Sequence, residues 1–284
     1  MPGILYVVAT PIGNLEDVTF RALRVLREVS LIAAEDTRRT ARLLQHYSIP
    51  TPTTSLHEHN ERAKTPGLIE RLKRGESIAL VSDAGTPVLS DPGALLVAEA
   101  HRAGIKVEPV PGPSAVMAVL SASGLAPDEF LFVGFPPSRS NARKAWLQRL
   151  AVESRPIVLF ESPYRVRTTL ADMLAILGDR PITLGRELTK AHEELVNRPI
   201  SDHLAHLAVP RGEFALVIHP PPTPPQPSLA PVRLSDVAQE FWDLTKNGRV
   251  SRREALKAVA ANHRISAREV YRAVEASKCR SDDQ

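Results

Sequence analysis

The sequence predicts an α/β fold, with two α/β domains followed by a small helical module. Three observations indicate this. Short apolar runs alternate with longer amphipathic segments through residues 4–218, a proline-rich stretch occupies residues 220–231, and the residues beyond it are basic. Such alternation is typical of strand–helix units around a mainly parallel sheet. With 284 residues and 43% hydrophobic content, the chain is long enough to bury more than one core.

The first domain is assigned to residues 1–126. Its predicted strands are the apolar runs at residues 4–9, 31–34, 78–81 and 105–110, and its predicted helices are the amphipathic segments at 19–28, 37–47, 94–103 and 114–123. Because each strand leads into a helix, the sheet of this domain should be mainly parallel.

The second domain is assigned to residues 127–219 and begins near Ala126 and Pro127. Its predicted strands lie at residues 130–134, 157–160, 182–185, 195–196 and 214–218, and its predicted helices at 142–150 and 166–177. Because several of these strands follow one another without an intervening helix, we expect a more mixed sheet.

The proline-rich stretch at residues 220–231 is the clearest domain boundary. It contains Pro-Pro-Pro and Pro-Pro steps that exclude a helix or a central strand. Such a composition predicts a semi-rigid polyproline II spacer.

The C-terminal module, residues 232–284, is predicted to be helical and basic. Residues 246–280 hold ten Lys and Arg against three Asp and Glu. Ser251 with Glu254, and Ser266 with Glu269, form capping boxes that predict two short helices with a turn at residues 262–264, similar to a helix-turn-helix, after an amphipathic segment at 234–244. A basic helical pair favours contact with a nucleic acid. The alternative is a helical module that packs on the body or on a partner.

Cysteine and hydropathy patterns narrow the class of protein. The single cysteine, Cys279, cannot form an intrachain disulfide, and the apolar run at residues 4–9 is too short for a signal core or a membrane span. We therefore expect a soluble cytoplasmic protein. Neither H-E-x-x-H nor C-x-x-C occurs, so no metal site is predicted.

Three loops that follow predicted strands point to a small-molecule pocket. They span residues 9–17, 82–93 and 109–115, and they are rich in Gly, Pro, Ser and Asp. Loops at the carboxyl ends of parallel strands are where open α/β sheets bind ligands. A dinucleotide is disfavoured because G-x-G-x-x-G is absent and Pro11 lacks a backbone donor. Taken alone, the first loop also fits a plain turn capped by Asn14 or Asp17.

Six segments carry a resemblance to a known family. They read A-T-P-I-G-N-L at 9–15, E-D-T-R at 35–38, H-E-H-N-E at 57–61, S-D-A-G-T-P-x-x-S-D-P-G at 82–93, P-G-P-S-A at 111–115 and F-E-S-P-Y-R at 160–165. Together they resemble the tetrapyrrole-methylase superfamily, and within it the branch that 2′-O-methylates a decoding-site cytidine of 16S rRNA. The usual glycine-rich first loop is replaced by Thr10 to Asn14, which fits that branch and argues against a tetrapyrrole substrate.

The resemblance covers about residues 3–219 and implies two α/β domains with S-adenosylmethionine in the cleft between them, commonly in a homodimer. It implies cofactor-binding residues in the three loops and in the last predicted strand of the second domain: Pro11, Ile12, Gly13, Asp83, Ala84, Gly85, Leu89, Ser90, Ser114, Ala115, Phe214 and Ala215. Asp91 reads equally well as a turn residue or as a ligand.

Transfer of a methyl group to a ribose hydroxyl requires alignment of the reactants and removal of one proton. Polar residues at predicted strand ends are the candidates, and we assign His57, Glu187 and Lys190 as catalytic. The alternatives are a solvated helix start capped by Asn60 for residues 57–62, and structural ion pairs of Arg186 with Glu187 or Glu35.

RNA contacts are assigned to polar and basic residues around the cleft and in the C-terminal module: Arg38, Arg39, His59, Asn60, Arg139, Glu161, Arg252, Arg253 and Arg268. For each arginine alone, a solvated surface position is the alternative. Arg143 and Lys144 are further candidates for phosphate contact. Asp36 fits a helix cap, and a helix cap is an equally good interpretation of Glu161. The sequence thus predicts an rRNA methyltransferase of the small ribosomal subunit. The alternatives are a tetrapyrrole-precursor methyltransferase and a nucleic-acid-binding ligand sensor without catalysis.

Overall fold

A computed structural model describes residues 2–207, 211–221, 234–246, 250–263 and 266–278. The chain divides into two compact units, Met1–Pro221 and Pro222–Gln284. The proline spacer lies outside the described residues from position 222 onward, as does Cys279. None of the described helices is both long and apolar enough to cross a membrane.

The first sheet is parallel throughout, as predicted, with strand order β3-β2-β4-β1-β5. Its strands are β1 (Ile4–Val8), β2 (Leu31–Ala34), β3 (Thr53–Ser55), β4 (Ile78–Val81) and β5 (Lys106–Val110). The helices that follow them are α1 (Phe20–Glu28), α2 (Thr37–His46), α3 (Glu61–Lys73), α4 (Ala94–Arg102) and α5 (Ala115–Ser121), with a short 3-10 helix at Leu15–Asp17. All residues of β2 and β4 are buried, which explains their uninterrupted apolar sequence.

The second sheet is mixed, as predicted, with strand order β6-β7-β10-β8-β9. Its strands are β6 (Leu131–Phe132), β7 (Ile157–Glu161), β8 (Pro181–Arg186), β9 (Glu194–Pro199) and β10 (Phe214–Ile218). Its helices are α6 (Ser140–Leu150), α7 (Val166–Leu177) and α8 (Ile200–His206). Only the β6–β7 pair is parallel among the described strands of this sheet.

Helix α5 joins the two sheets. It follows β5 of the first sheet, yet Val116 and Val119 pack against Val158 and Val217 of the second sheet. The opposite face of the second sheet is covered by α6 and α7. The domain boundary at residue 126 stays a prediction; it falls between β5 and β6, and both sheets belong to one compact unit.

The described part of the C-terminal unit contains three helices, α9 (Leu234–Thr245), α10 (Arg252–His263) and α11 (Ala267–Lys278), around a core that includes Phe241 and Val259. Both predicted capping boxes are confirmed. The amides of Ser251 and Ser266 donate to Glu254 and Glu269 at 3.0 and 2.8 Å, and the return bonds are also present. The end of α10 is anchored, because Asn262 and His263 both hydrogen-bond to Glu240. Arg264, the last residue of the predicted turn, lies outside the described residues.

Candidate active site

A cavity of about 420 Å³ opens at the carboxyl edge of the first sheet and is closed on its other side by the second sheet. Its volume falls within the usual range for small-molecule sites, about 300–1,000 Å³. The loops after β1, β4 and β5 all contribute to it, as predicted. The residues that line it are Ile12, Glu35, Arg39, Asp83, Ala84, Gly85, Thr86, Leu89, Ser90, Asp91, Ser114, Ala115, Val116, Phe135, Phe160, Glu161, Ser162, Pro163, Leu188, Glu213, Phe214 and Ala215.

The loop at residues 82–93 forms one wall and has an unusual backbone. Gly85, Val88, Ser90 and Gly93 all have positive φ values, between 69° and 118°. Thr10 and Gly85 exchange two backbone hydrogen bonds of 2.9 Å, so this loop is tied to the loop after β1. A side chain at position 85 would meet Ile12 Cγ2 at 3.3 Å, and glycine therefore lets the two loops approach closely.

Glu61, the first residue of α3, fixes the end of this loop. Its Oε1 accepts hydrogen bonds from the amides of Gly93, Leu95 and Leu96 at 3.1, 2.9 and 3.3 Å. These amides are unpaired donors at the start of α4, and a carboxylate there also complements the helix dipole. Local sequence patterns do not reveal this role of Glu61, because the bonds join residues that are 32–35 positions apart.

Three carboxyl groups line the cavity on the first-sheet side: Glu35, Asp83 and Asp91. Burial raises the pKa of Asp91 to about 6, and the negative charges of Glu35 and Asp83 add to the effect. Burial likewise raises the pKa of Glu35. Arg39 approaches Asp83 at 3.3 Å and offsets part of this charge. The wall is suited to a ligand that carries positive charge.

The predicted catalytic residue His57 lies outside the cavity lining. Asn60 Oδ1 accepts from the His57 amide at 2.9 Å, and Asn60 Nδ2 lies 2.9 Å from His57 Nε2. Asn60 precedes α3 but makes no side-chain cap bond to it. The segment therefore braces the turn before α3, next to Glu61, and His59 is exposed beside His57.

Glu187 and Lys190 form an ion pair of 2.8 Å at the edge of the cavity. Lys190 also approaches Glu213 at 3.2 Å, and the Glu213 amide donates to Glu187. Burial by itself would lower the pKa of Lys190, but the hydrogen bonds and negative charges of Glu187 and Glu213 outweigh burial and raise this pKa. The hydrogen bond from Lys190 in turn lowers the pKa of Glu187. Both shifts disfavour proton acceptance at neutral pH. Through Lys190 the pair contacts Glu213, which lines the cavity together with Leu188.

Two residues of the first loop pack away from the cavity. A side chain at Gly13 would meet Lys190 Cγ at 2.5 Å, and the Asn14 amide donates to Thr189 Oγ1 at 3.1 Å. Gly13 therefore serves the contact between the two loops, while Ile12 lines the cavity and Pro11 does not.

Three arginines near the cleft have different surroundings. Arg38 is turned toward Asp36, at 2.7 Å, and Asp36 caps α2 through the Arg38 amide, so the predicted cap is confirmed. Arg139 is exposed at the start of α6. Arg186 pairs with Glu194 at 3.2 Å rather than with Glu187 or Glu35, so the partners named from the sequence are wrong.

Arg143, a phosphate candidate, is buried instead. Its side chain is 4% exposed and pairs with Asp172 at 2.7 Å. It is thus enclosed by protein, and the assignment to phosphate is wrong.

Glu161 lines the cavity, but its oxygens already have partners. The side chain is fully buried and accepts from the Ser162 amide, Thr169 Oγ1 and Arg165 Nη2 at 2.7, 2.6 and 2.9 Å. It does not cap α7 itself; the residue at that position is Arg165. Glu161 thereby orders the segment that leads from β7 into α7.

Sequence reasoning missed most of the second-sheet wall. The additional lining residues from β7, from the loop after β6 and from the loops next to β7, β8 and β10 are Phe135, Phe160, Ser162, Pro163, Leu188 and Glu213. These residues all lie close to the end or the beginning of a strand, and this position is the feature of the sequence that could have identified them. Glu35, Thr86 and Val116 were missed on the first-sheet side, although each lies within or beside a quoted motif.

A family model described as Tetrapyrrole (Corrin/Porphyrin) Methylases matches residues 4–203. A relative from Synechocystis sp. named ribosomal RNA small subunit methyltransferase I is 46% identical over 91% of this chain and 92% of its own length. A relative of the same name from Vibrio cholerae is 50% identical over 76% of this chain and 77% of its own.

Solved structures share the fold at low identity. Uroporphyrin-III C-methyltransferase from Thermus thermophilus, in complex with S-adenosylhomocysteine, aligns with a TM-score of 0.55 and 19% identity over 76% of this chain and 97% of its own. Diphthine synthase aligns with a TM-score of 0.57 and 17% identity over 76% of this chain and 90% of its own. The chain belongs to the tetrapyrrole methylase family, in the group whose members are named ribosomal RNA small subunit methyltransferase I.

Proposed function

We propose that the chain is an S-adenosylmethionine-dependent methyltransferase that methylates the ribose 2′-hydroxyl of a cytidine in the decoding region of 16S rRNA. The observation that carries the proposal is the cavity, which the family motifs at residues 82–93 and 111–115 build together with Phe214 and Ala215. The identity of 46–50% to enzymes named for small-subunit rRNA supports the RNA substrate. Tetrapyrrole enzymes resemble this chain in fold alone, at about 20% identity.

The cavity has the chemistry that S-adenosylmethionine needs. The acidic wall of Glu35, Asp83 and Asp91 complements a cationic ligand, while Leu89 and Phe214 offer apolar surface. The close approach at Gly85 leaves backbone groups near the ligand. When bound, S-adenosylmethionine supplies a methyl group already activated by a sulfonium charge. We therefore assign Ile12, Asp83, Ala84, Gly85, Leu89, Ser90, Ser114, Ala115, Phe214 and Ala215 to cofactor binding.

The chain's own residues contribute mainly position. Holding a hydroxyl in line with the methyl carbon supplies a large part of such a rate enhancement. Glu187 and Lys190 are proposed to act by fixing Leu188 and Glu213 at the cleft, rather than by moving a proton. The assignment of His57 as catalytic stays a prediction. His57 lies outside the cavity lining, and its Nε2 contacts Asn60.

RNA contacts are proposed on both units. Arg39 lies in the cavity wall and Arg139 is exposed. In the C-terminal unit, Arg252, Arg253 and Arg268 are exposed on α10 and α11, where they suit phosphate contacts. We further propose that the substrate is the assembled small subunit, that the enzyme acts in the cytoplasm, and that it forms a homodimer, as the family resemblance implies.

The proposal is tested in two steps. Isothermal titration with S-adenosylmethionine should show binding, and the Asp83→Asn variant should bind more weakly than an Asp128→Asn control, because Asp83 lines the cavity and Asp128 is exposed outside it. Radiolabelled methyl transfer should then occur to 30S particles and not to precorrins, with the label on a ribose 2′-oxygen.

Each unfavourable result has a distinct meaning. Absence of binding would refute the cofactor assignment. Binding without transfer to either substrate would favour a ligand sensor, and transfer to precorrins would favour a tetrapyrrole enzyme.

A further inference from the structure

We propose, on the basis of the function above, that Phe135 and Phe160 form an aromatic wall on which the base of the target nucleotide stacks. Phe135 follows β6 on the second-sheet side of the cavity, and Phe160 lies in β7. The site would take an unstacked nucleobase, with its ribose directed toward the methyl donor.

The exposure of Phe135 is the first support. The residue lines the cavity and yet is 53% exposed. One side of its ring packs near Phe160, with ring centroids 5.6 Å apart, and Phe160 in turn packs edge-on against Phe132 at 5.2 Å. The aromatic cluster thus supports the ring from behind and leaves apolar surface open to a ligand.

The wall adjoins the loop that is proposed to hold the methyl donor. Gly134 has a φ of 63°, and a side chain there would meet Ser90 Oγ at 3.1 Å. The carbonyl of Gly134 also accepts from the Phe160 amide at 3.0 Å. Phe135 directly follows Gly134, which lies beside the proposed cofactor-binding residue Ser90. A base stacked on Phe135 would therefore lie close to the methyl donor, as methyl transfer to its own ribose requires.

Two arginines hold the segment that follows Phe135. Arg165 Nη1 donates to the carbonyl of Pro136 at 3.2 Å, and the buried Arg143 donates to that of Ser138 at 3.2 Å. Each arginine is fixed by a carboxylate, Glu161 for Arg165 and Asp172 for Arg143. A preorganised ring loses little freedom when a ligand binds. Arg143 and Arg165 are accordingly positioning residues for this wall.

The chemistry of the wall favours a base of RNA. Sequence-specific recognition of RNA mostly uses unstacked bases, and such bases are commonly received by aromatic side chains. Exposed Arg139, four residues after Phe135, offers a charge for the neighbouring phosphate. The competing occupant is the adenine of the methyl donor, and the experiment separates the two.

The test compares Phe135→Ala with Phe135→Tyr, which keeps the ring, and with Phe135→Leu, which keeps apolar bulk. Val152→Ala is the matched control, because Val152 is 88% exposed and lies between α6 and the start of β7, at the far end of that strand from the cavity. For each variant, the affinity for S-adenosylmethionine is measured by titration, and kcat/KM is measured with 30S particles. Thermal melting and size-exclusion chromatography confirm that the fold and the oligomeric state are retained.

We expect Phe135→Ala to lower kcat/KM for 30S particles by about 5- to 150-fold, the range for loss of one base–aromatic stack. Phe135→Leu should lie between Ala and Tyr, and Phe135→Tyr and Val152→Ala should stay close to the unmodified enzyme. The affinity for S-adenosylmethionine should be unchanged in all four.

Three results would overturn the inference. A parallel loss of S-adenosylmethionine affinity would assign the ring to the donor, an unchanged kcat/KM in Phe135→Ala would remove it from the site, and a changed oligomeric state would assign it to an interface between copies. If the unmodified enzyme binds S-adenosylmethionine but methylates no 30S particle, the proposed function fails instead.

Discussion

Removal of the Glu61 carboxylate should loosen the loop at residues 82–93 and the helix that follows it. In Glu61→Ala, the amides of Gly93, Leu95 and Leu96 lose their shared acceptor. Loss of a helix N-cap destabilises proteins by about 0.5–2 kcal/mol, and a hydrogen bond to a charged group contributes about 1.5–3 kcal/mol. We therefore expect the free energy of unfolding to fall by about 2 kcal/mol. For a unit of this size, that corresponds to a melting temperature about 4–8 °C lower.

Urea unfolding and thermal melting measure this change, and titration with S-adenosylmethionine reports on the loop itself. Glu61→Gln retains an acceptor oxygen and loses only the charge, so it should lose less stability, about 0.3–1 kcal/mol from the helix dipole. Glu70→Ala serves as the control, because Glu70 lies on the same helix and makes a solvent-exposed pair with Lys73. Equal stability of Glu61→Ala and the Glu70→Ala control would refute the reasoning.

Three further changes have outcomes that the structure specifies. Asp91→Asn should be about 1–2 kcal/mol more stable than the unmodified protein at pH 7, and of nearly equal stability at pH 4. The carboxyl has a pKa of about 6 when folded against about 3.9 when unfolded, so its charged form destabilises the fold as pH rises through that window, and solvent reaching the partly buried group reduces the penalty. A gain that is independent of pH in urea unfolding would contradict this. Gly134→Ala should weaken binding of S-adenosylmethionine, because the added methyl group would meet Ser90. Gly124→Ala is the control: Gly124 has a similar φ of 76° but open space around it, so this variant should lose only the stability that backbone strain removes. Equal affinities of the two variants in titration would argue against the contact with Ser90. Deletion of residues 232–284 should lower RNA affinity and make it less dependent on salt concentration, while the affinity for S-adenosylmethionine stays unchanged. Unaltered RNA affinity in filter binding would show that the arginines of α10 and α11 do not contact the RNA.

Local sequence patterns predicted four of the five described strands of the first sheet and missed the short edge strand β3. Strands β2 and β4 are buried over their whole length, so they occur as uninterrupted apolar runs that no exposed position breaks. Helix α3 was considered only as an alternative, a helix start after Asn60, because Pro66 and Gly67 interrupt its pattern even though the helix continues through them.

The second-sheet wall was harder to predict because it depends on pairing between distant strands. Phe214 lies opposite both Glu161 of β7 and Arg186 of β8, and this register brings residues more than 50 positions apart to one edge. Phe214 and Ala215 were assigned through the resemblance, whereas Phe160 and Glu213 beside them required the register itself. The Glu187–Lys190 pair illustrates the same limit, since the carboxylates that raise the pKa of Lys190 are identified only by the folded structure.

The positive φ values in the loop at residues 82–93 explain why so many distant contacts converge on it. Val88 and Ser90 have φ values of 75° and 69°, a conformation that residues other than Gly, Asn and Asp rarely adopt. Such strain persists only where the surroundings enforce it. The paired hydrogen bonds between Thr10 and Gly85 hold the beginning of the loop, and Glu61 holds its end at Gly93. The wall of the cavity is therefore shaped before any ligand arrives, and its stability depends on residues outside the cavity as much as on those that line it.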